Sequence, residues 1–154
     1  GFTFFANRVK DRLGIDFARS NLLDEADGKL TGEVVTQSWG DICDGAEKRR
    51  TLLEVASLLG ISAAETIAVG DGANDLPMMG EAGLSVAFHA KPLVREQARV
   101  ANNEGGLDRL LDHGLQVCSL QADERVSVED AGLVGTCGLD NLALILGQVQ
   151  PFAV

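Results

Sequence analysis

Basic residues are scarce in this 154-residue chain, which has 13 Lys and Arg against 23 Asp and Glu and a formal net charge of −10. Proteins that bind nucleic acid place clustered Lys and Arg against the phosphate backbone. The basic residues here are scattered, apart from the run Lys48-Arg49-Arg50. The charge therefore argues against a nucleic-acid partner. An acidic protein can still bind a phosphorylated small molecule when a divalent cation supplies local positive charge.

Long apolar runs and closely spaced cysteines are missing as well. No window approaches the ~18 consecutive apolar residues of a membrane span, so no membrane partner is expected. Cys43, Cys118 and Cys137 are odd in number and too far apart for a metal-binding spacing. Reduced thiols in a cytoplasmic protein are the expectation. With 45% hydrophobic and 23% charged residues, the composition is that of a globular domain.

Apolar periodicity and turn residues predict an α/β fold over residues 1–114. A turn at Asp27-Gly28 predicts a hairpin-like excursion in this part of the chain. The predicted helices cover residues 3–13, 45–59, 75–82, 92–100 and 107–111, the predicted buried strands cover 66–69 and 84–88, and the hairpin strands cover 18–25 and 29–35. Alternating strands and helices imply a parallel sheet covered on both faces. Residues 115–154 have no clear period, and a helix over 140–146 is the one expectation there.

The stretch from Thr66 to Met78 carries the clearest chemical signal. A buried strand delivers Asp71 and Asp75 to a glycine-rich loop at its carboxyl end, the edge where open α/β sheets bind ligands. Two carboxylates on such a loop suit Mg²⁺, which prefers oxygen ligands. Asn74 can donate and accept hydrogen bonds, so it could bridge the loop to a bound phosphate.

Each of these residues also has an ordinary structural interpretation. Asp75 or Asn74 would serve equally well as the cap of the following helix. The Gly-x-Gly at Gly70 and Gly72 could belong to a dinucleotide fingerprint, but Asp75 stands where that pattern has its third glycine. Of the two histidines, we expect His113 to be a solvated helix-end residue.

Lys48 is the second chemical signal. It lies in the first turn of its predicted helix, on the apolar, sheet-facing stripe four residues before Leu52. Helix N-termini and strand C-termini share one edge in a parallel βαβ unit, which places Lys48 and Asp71 at one rim. A cation at a helix N-terminus opposes the helix dipole, so an anionic partner is expected there. The alternative is that its stem packs while the ammonium reaches water.

The loop from Gly70 to Met78 resembles the fourth motif of the haloacid dehalogenase superfamily. Asp44-Gly-Ala-Glu-Lys48 is similar to the third motif, and Gly1-Phe-Thr-Phe-Phe5 to the end of the second. The stretch Ala82-Gly83, Ala87, His89-Ala-Lys-Pro92 and Val94 resembles the phosphoserine phosphatase family in particular, and Asp27-Gly-Lys-Leu-Thr-Gly32 fits the segment between motifs. The likeness covers residues 1 to about 114. It implies a three-layer Rossmann-like core with an incomplete parallel sheet.

The resemblance also implies roles for individual residues. Asp71 would be a Mg²⁺ ligand, and Asp75 would support the metal and its water. Lys48 would contact the phosphoryl oxygens, Asn74 would touch phosphate or substrate, and Gly1 would border the phosphate pocket. The family reaction hydrolyses O-phospho-L-serine to L-serine and phosphate through a phosphoaspartyl intermediate, the last step of serine biosynthesis.

The departures from the family pattern are large. The first motif, Asp-x-Asp-x-Thr/Ser, which carries the nucleophile, has no counterpart here, and neither has the cap domain. The resemblance therefore implies a fragment that lacks the N-terminal segment of the same protein and is inactive alone. In the family architecture the missing first strand lies between the strands that carry the second and fourth motifs. Two central strand edges, one of them on the strand at 66–69, would therefore lack partners. Two alternatives stay open. One is a complete non-catalytic metal- or partner-binding module whose residues 115–154 fill the gap in the sheet; the other is a phosphatase for another small phosphomonoester.

Overall fold

The computed structural model describes residues 1–106 and 143–146. In chain order the elements are α1 (Thr3–Leu13), β1 (Leu22–Ala26), β2 (Lys29–Val35), α2 (Gly45–Leu59), β3 (Thr66–Gly70), α3 (Leu76–Met79), β4 (Leu84–Phe88), α4 (Pro92–Gln97), β5 (Val100–Asn102) and β6 (Ala143–Leu146). Four strands form a parallel sheet in the order β5-β4-β3-β6, and β1 pairs with β2 in a separate antiparallel hairpin. The predicted α/β class with a hairpin excursion is confirmed. None of the described helices is long and apolar enough to cross a membrane.

The first helix, the hairpin turn and the second hairpin strand form where the sequence predicts them. Gly14 ends α1 in the left-handed conformation, at φ 67°, where a residue without Cβ is unstrained. The first hairpin strand starts at Leu22 and not at residue 18. The reason is that the residues before it bond elsewhere, since Gln37 donates to the Ser20 carbonyl at 2.9 Å and Asn21 pairs with Phe2.

Helix α2 has both of its predicted ends. The Asp44 side chain accepts a hydrogen bond from the Glu47 backbone N–H at 2.9 Å, and Gly60 closes the helix at φ 71°. Leu52 and Ala56 on its inner stripe are buried against the sheet. Because Lys48 lies one turn before Leu52 on that same stripe, the helix carries the lysine to the sheet edge.

The central strands β3 and β4 are buried along their whole length. Alternate side chains face two separate apolar clusters, one packed under α2, α3 and α4 and one on the opposite face. Ala68 and Ala87 belong to the first cluster, and Val69 and Val86 to the second. Apolar residues on both faces are typical of a parallel sheet. Their packing holds β3, which ends at Gly70, in the middle of the core.

Two predicted helices are shorter than the sequence pattern indicates. The segment predicted as one helix over 75–82 is a 3₁₀ turn at Ala73–Asp75 followed by α3, which ends at Met79. The Gly83 backbone N–H donates to the Ala63 carbonyl at 3.0 Å, and a Cβ on Gly83 would lie 1.7 Å from the Ala64 carbonyl oxygen, so this residue packs against the segment before β3 and not in the helix. Helix α4 ends at Gln97 and not at residue 100, because Val100 pairs with Val86 as part of β5. The helix predicted over 107–111 lies outside the described residues.

The expectations for the sheet edge and for residues 140–146 were both wrong. Ala143–Leu146 form a strand and not a helix, and this strand pairs in parallel with β3. A short, wholly apolar run fits a buried strand as well as a helix, so periodicity could not separate the two. The edge of β3 that was expected to be unpaired is therefore covered by β6. This agrees with the alternative in which the C-terminal region fills the gap in the sheet.

Candidate active site

A buried ion pair lies at the carboxyl end of β3. Lys48 Nζ donates a hydrogen bond to Asp75 Oδ1 at 2.6 Å, with the lysine side chain 8% exposed and the aspartate fully buried. The ammonium does not reach out to water, so the ordinary structural interpretation of Lys48 is wrong. Removing one partner of such a pair would leave an uncompensated buried charge, which costs far more than an exposed pair contributes. The predicted meeting of a distant lysine and the acidic loop is confirmed.

The second oxygen of Asp75 organises the glycine-rich loop. Asp75 Oδ2 accepts hydrogen bonds from the backbone N–H groups of Asp71 at 3.1 Å and Gly72 at 3.2 Å. Asp75 makes no side-chain cap to α3. Its hydrogen bond from Gly72 instead caps the 3₁₀ turn at Ala73–Asp75. The carboxylate therefore links α2, through Lys48, to the backbone that presents Asp71. Its charge is stabilised by three donors in a buried setting.

Close backbone approach at two glycines makes this arrangement possible. A Cβ on Gly70 would lie 2.3 Å from the Asp75 Cβ, and a Cβ on Gly45 would lie 2.8 Å from the Asn74 carbonyl oxygen. Both distances are shorter than real Cβ contacts allow. Gly70 leaves room for the Asp75 side chain under the loop, and Gly45 lets the start of α2 pack against the loop backbone.

Asn74 and Gly1 lie at the periphery of the ion pair. Asn74 is exposed, and its Oδ1 would be 2.8 Å from a Cβ on Gly72, so the amide lies over the loop. Burial and the nearby Lys48 charge lower the pKa of the Gly1 amino group. The structure thus brings Gly1, Lys48, Asp71, Asn74 and Asp75, all of the predicted site residues, to one rim.

Asn21 connects the two sides of this rim, and no local sequence pattern pointed to it. Its side-chain Oδ1 accepts from the Cys43 backbone N–H at 2.7 Å. Its own backbone N–H donates to the Gly1 carbonyl at 3.1 Å, and its carbonyl accepts from Thr3 at 2.9 Å. One residue therefore fixes the Gly1 segment against the chain that leads into α2. Such a tie joins residues distant in sequence, so no local pattern can reveal it.

A second cluster of charges holds the first turn of α2. Arg19 donates to Glu47 Oε1 at 2.6 Å and to Glu54 Oε2 at 2.9 Å, and Arg50 also pairs with Glu47. The Arg19 guanidinium lies over the Trp39 ring, 5.5 Å from its centroid, so Trp39 packs against this cluster. Since Glu47 directly precedes Lys48, these contacts orient the turn that presents the lysine.

Of the two histidines, His89 lies among the described residues. The His89 ring packs edge-on against Phe88, and its Nε2 lies 3.0 Å from the Gly105 carbonyl oxygen. His89 has a positive φ of 46° directly after β4, where the chain turns away from the sheet. His113 lies outside the described residues.

The donor set at the rim fits a magnesium ion. Within residues 1–106 and 143–146 there is no group of three or more His, Cys, Asp or Glu side chains arranged around a common point. Mg²⁺ does not require one, because it keeps several waters and is usually bound by about one or two carboxylates together with substrate phosphate. Asp71 is half-buried, and both Asp75 oxygens are engaged in hydrogen bonds. The residues therefore suit a cation held mainly through Asp71.

Comparison with known proteins identifies the class of this fold. Residues 9–107 match the haloacid dehalogenase-like hydrolases, and this match covers more than half of the chain. The chain belongs to the haloacid dehalogenase-like hydrolase family. Its parallel sheet, with the acidic loop at the end of β3, is that family's core in part.

The curated relatives point to one kind of enzyme within the family. The chain is 70% identical over 112 residues to the phosphoserine phosphatase of Polaromonas sp., a match that covers 73% of this chain and 48% of the relative. It is 67% identical over 112 residues to the phosphoserine phosphatase of Albidiferax ferrireducens, covering 73% of this chain and 47% of that relative. The chain thus spans about half the length of the curated relatives it matches.

Solved structures agree with this placement. A probable phosphoserine phosphatase from Vibrio cholerae, in unliganded form, superposes with a TM-score of 0.71 at 38% identity, covering 82% of this chain and 38% of that one. A substrate-bound phosphoserine phosphatase complex gives a TM-score of 0.68 at 40% identity, covering 73% of this chain and 52% of that one. The fold described above is therefore shared with phosphoserine phosphatases over its described core.

Proposed function

We propose that this chain is the metal- and phosphate-binding part of a phosphoserine phosphatase, which hydrolyses O-phospho-L-serine to L-serine and phosphate. The observation that carries the proposal is the buried Lys48–Asp75 pair at the end of β3, beside Asp71. Identity to phosphoserine phosphatases of 70% and 67% over this region supports the choice of substrate.

Each residue of the rim then has a definite task. Lys48, fixed by Asp75, presents its remaining N–H donors to the phosphoryl oxygens and offsets their negative charge. Asp71 would hold Mg²⁺, which when bound offsets charge on the transferring phosphoryl group. Asn74 and the backbone around Gly1 orient the phosphate. Preformed donors of this kind favour phosphoryl transfer because they need no reorganisation during the reaction.

The described residues supply no acid placed as a nucleophile. In this assignment Asp71 would hold the metal, and Asp75 is engaged by three donors. We expect the nucleophilic carboxylate to come from the part of the enzyme that the relatives have outside the matched region. The chain alone should therefore show no enzymatic rate with phosphoserine.

The test is reconstitution. The chain is co-expressed with the part of the Polaromonas relative that lies outside the 112-residue match, and phosphate release is measured with Mg²⁺. The proposal predicts hydrolysis of O-phospho-L-serine by the complex and none by either part alone. Faster hydrolysis of another phosphomonoester, such as O-phospho-L-threonine or glycerol phosphate, would assign a different substrate. Enzymatic turnover by the chain alone would contradict the expectation that the nucleophilic carboxylate comes from the unmatched part of the enzyme.

One observation favours the second candidate, a non-catalytic module. Strand β6 covers the edge of β3, so the sheet does not depend on another segment for that pairing. A correctly assembled complex that binds Mg²⁺ but hydrolyses no phosphomonoester would support this alternative.

A further inference from the structure

Asn21 bonds to two segments that border the predicted phosphate position, residues 1–3 (the Gly1 segment) and the chain that leads into α2. Its backbone N–H donates to the Gly1 carbonyl at 3.1 Å, and its carbonyl accepts from the Thr3 N–H at 2.9 Å. Its side-chain Oδ1 accepts from the Cys43 N–H at 2.7 Å. Any residue other than proline could make the two main-chain bonds, whereas the third requires a side-chain acceptor. The specific contribution of Asn21 is therefore the bond to Cys43.

That bond leads directly to the start of the helix that carries Lys48. Cys43 precedes Asp44, whose side chain caps α2 by accepting from the Glu47 N–H at 2.9 Å. The Asp44 carbonyl accepts from the Lys48 N–H at 3.0 Å. A displacement of Cys43 would therefore be passed through one residue to the first turn of α2. The bond to Cys43 thus sets how far this turn lies from the segment on the other side of Asn21.

The Asn21 side chain lies in the electrostatic field of Lys48. Burial lowers the pKa of the Gly1 amino group, and the Lys48 charge lowers it further. Burial raises the pKa of the Cys43 thiol, and the Lys48 charge acts in the opposite direction. Since Asn21 bonds to both of these residues, a charge placed on its side chain would also be felt at the Lys48 ammonium.

An amide at this position is not what the hydrogen bond alone would favour. A carboxylate accepts a backbone N–H more strongly than a neutral amide oxygen does. The Asn21 Nδ2 has no hydrogen-bond acceptor among residues 1–106 and 143–146, so its N–H groups do not contribute to the tie. What distinguishes the amide from a carboxylate here is the absence of a negative charge near the cation assigned to the phosphoryl group.

We propose that Asn21 is a positioning residue for phosphoryl transfer. Its Oδ1 holds the Gly1 segment at a fixed distance from Lys48, and its neutral side chain leaves the lysine charge to the phosphoryl group. The proposal rests on the proposed function for the identity of that anion. Asn21 acts through the two segments it joins, and no contact with the substrate is assigned to it. We expect the fold to tolerate aspartate in its place while phosphate binding weakens.

Steady-state kinetics separate the two contributions in the complex with the unmatched part of the Polaromonas relative. Asn21→Ala removes the acceptor and disturbs alignment, so kcat for O-phospho-L-serine should fall at least about tenfold while KM stays within about threefold. Asn21→Asp keeps the acceptor and adds a charge, so KM should rise at least about threefold while kcat stays within about threefold. Asn7 is exposed on α1 and provides the matched controls. Asn7→Ala and Asn7→Asp should leave both constants within about twofold.

The split between the two constants is what a purely structural role would not produce. Asn21→Ala and Asn21→Asp that changed the same constant to the same extent would overturn the proposal. Variants of Asn21 that matched their Asn7 controls would also overturn it. Size-exclusion chromatography shows whether each complex assembles, and the KM of Asn21→Asp decides alone where Asn21→Ala does not assemble.

Phosphate binding gives a measurement that needs no turnover. Inorganic phosphate is titrated into the full chain in the presence of Mg²⁺, and the Thr3 and Lys48 amide resonances are followed by NMR. The phosphate concentration at half-saturation should be at least about threefold higher for Asn21→Asp than for the unaltered chain, and within about twofold for Asn7→Asp. Equal concentrations for Asn21→Asp and Asn7→Asp, or no phosphate-dependent shift in the unaltered chain, would overturn the proposal.

The two measurements distinguish this proposal from the proposed function. Weaker phosphate binding by Asn21→Asp, together with a complex that hydrolyses no phosphomonoester, would support the role of Asn21 in anion binding and refute the phosphatase assignment. Hydrolysis of O-phospho-L-serine that neither Asn21 variant alters would support the phosphatase assignment and refute the role of Asn21.

Discussion

Lys48 and Asp75 are 27 positions apart in the sequence and 2.6 Å apart in the structure. The contact joins the first turn of α2 to the loop after β3, and both side chains are buried. Buried opposite charges stabilise one another only when both are present, because each alone would be desolvated without compensation. The stability of the core and the chemistry of the rim therefore depend on the same pair.

Neutralising Asp75 should destabilise the fold strongly. Asp75→Asn leaves the Lys48 ammonium buried without its counter-charge, and a loss of about 3–5 kcal/mol in the free energy of unfolding is expected. Adding Lys48→Met to Asp75→Asn should recover at least about 1 kcal/mol, because the unpaired charge is then absent. Urea unfolding measures both changes. The control is Glu81→Gln, which breaks the exposed Arg49–Glu81 pair and should cost under about 1 kcal/mol. Equal losses for Asp75→Asn and Glu81→Gln would contradict this account.

A methyl group on Gly70 should displace the Asp75 side chain. The Cβ of Gly70→Ala would lie 2.3 Å from the Asp75 Cβ, and overpacking of this kind costs about 1–3 kcal/mol. Gly80→Ala is the matched control, since its nearest neighbour is at 3.4 Å and its φ is −69°. The control should change the unfolding free energy by less than about 1 kcal/mol. Thermal unfolding compares the two, and a Gly70→Ala protein as stable as Gly80→Ala would refute the tight approach.

Asn21 should be replaceable by aspartate but not by alanine. Asn21→Ala removes the acceptor of the part-buried Cys43 N–H, which should lower the unfolding free energy by about 1–2 kcal/mol. Asn21→Asp keeps an oxygen in place and should retain most of that stability. Hydrogen exchange of the Cys43 amide, resolved by NMR, provides the local readout. Unchanged protection of that amide in Asn21→Ala would show that the hydrogen bond does not form.

The Cys43 thiol reports on the charge of Lys48. Burial raises the pKa of Cys43 above its ordinary value of 9.0, while the neighbouring Lys48 charge lowers it. A raised pKa in the folded protein favours the neutral thiol. This contribution to stability is therefore present below about pH 9 and is lost as the pH rises through the folded value.

Alkylation kinetics measure this effect. In a Cys118→Ser, Cys137→Ser background, the pH at which iodoacetamide reacts with Cys43 at half its maximal rate should lie above 9.0. Lys48→Met should move it higher still, because a lowering influence is removed. Lys10→Met, on exposed α1, should leave it unchanged. A shift to lower pH in Lys48→Met would contradict the proximity of the two groups.

The sequence predicted the parts of the fold that depend on local patterns. The caps at Asp44 and Gly60, the turn at Asp27-Gly28 and the buried run at 66–69 each use short-range signals. Lys48 could be placed at the rim because its position on the helix stripe and the geometry of a βαβ unit together determine which edge it faces.

The remaining features depend on contacts that no local pattern encodes. Strands β5 and β6 form because Val100 pairs with Val86 and Leu146 pairs with Val69. The sequences of these short apolar segments do not reveal either pairing. The tie through Asn21 likewise arises from the tertiary arrangement alone. Tertiary pairing decides short apolar segments, since their intrinsic preferences differ by little.

The phosphate-binding role of Lys48 is tested most directly by turnover of the reconstituted complex. Rates of O-phospho-L-serine hydrolysis at saturating Mg²⁺ are compared for Lys48→Ala, for the surface control Lys10→Ala and for the unaltered chain. We predict that Lys48→Ala lowers the rate at least about a hundredfold while assembly of the complex is retained, and that Lys10→Ala stays within about twofold. An assembled Lys48→Ala complex that turns over as fast as the Lys10→Ala complex would contradict the account.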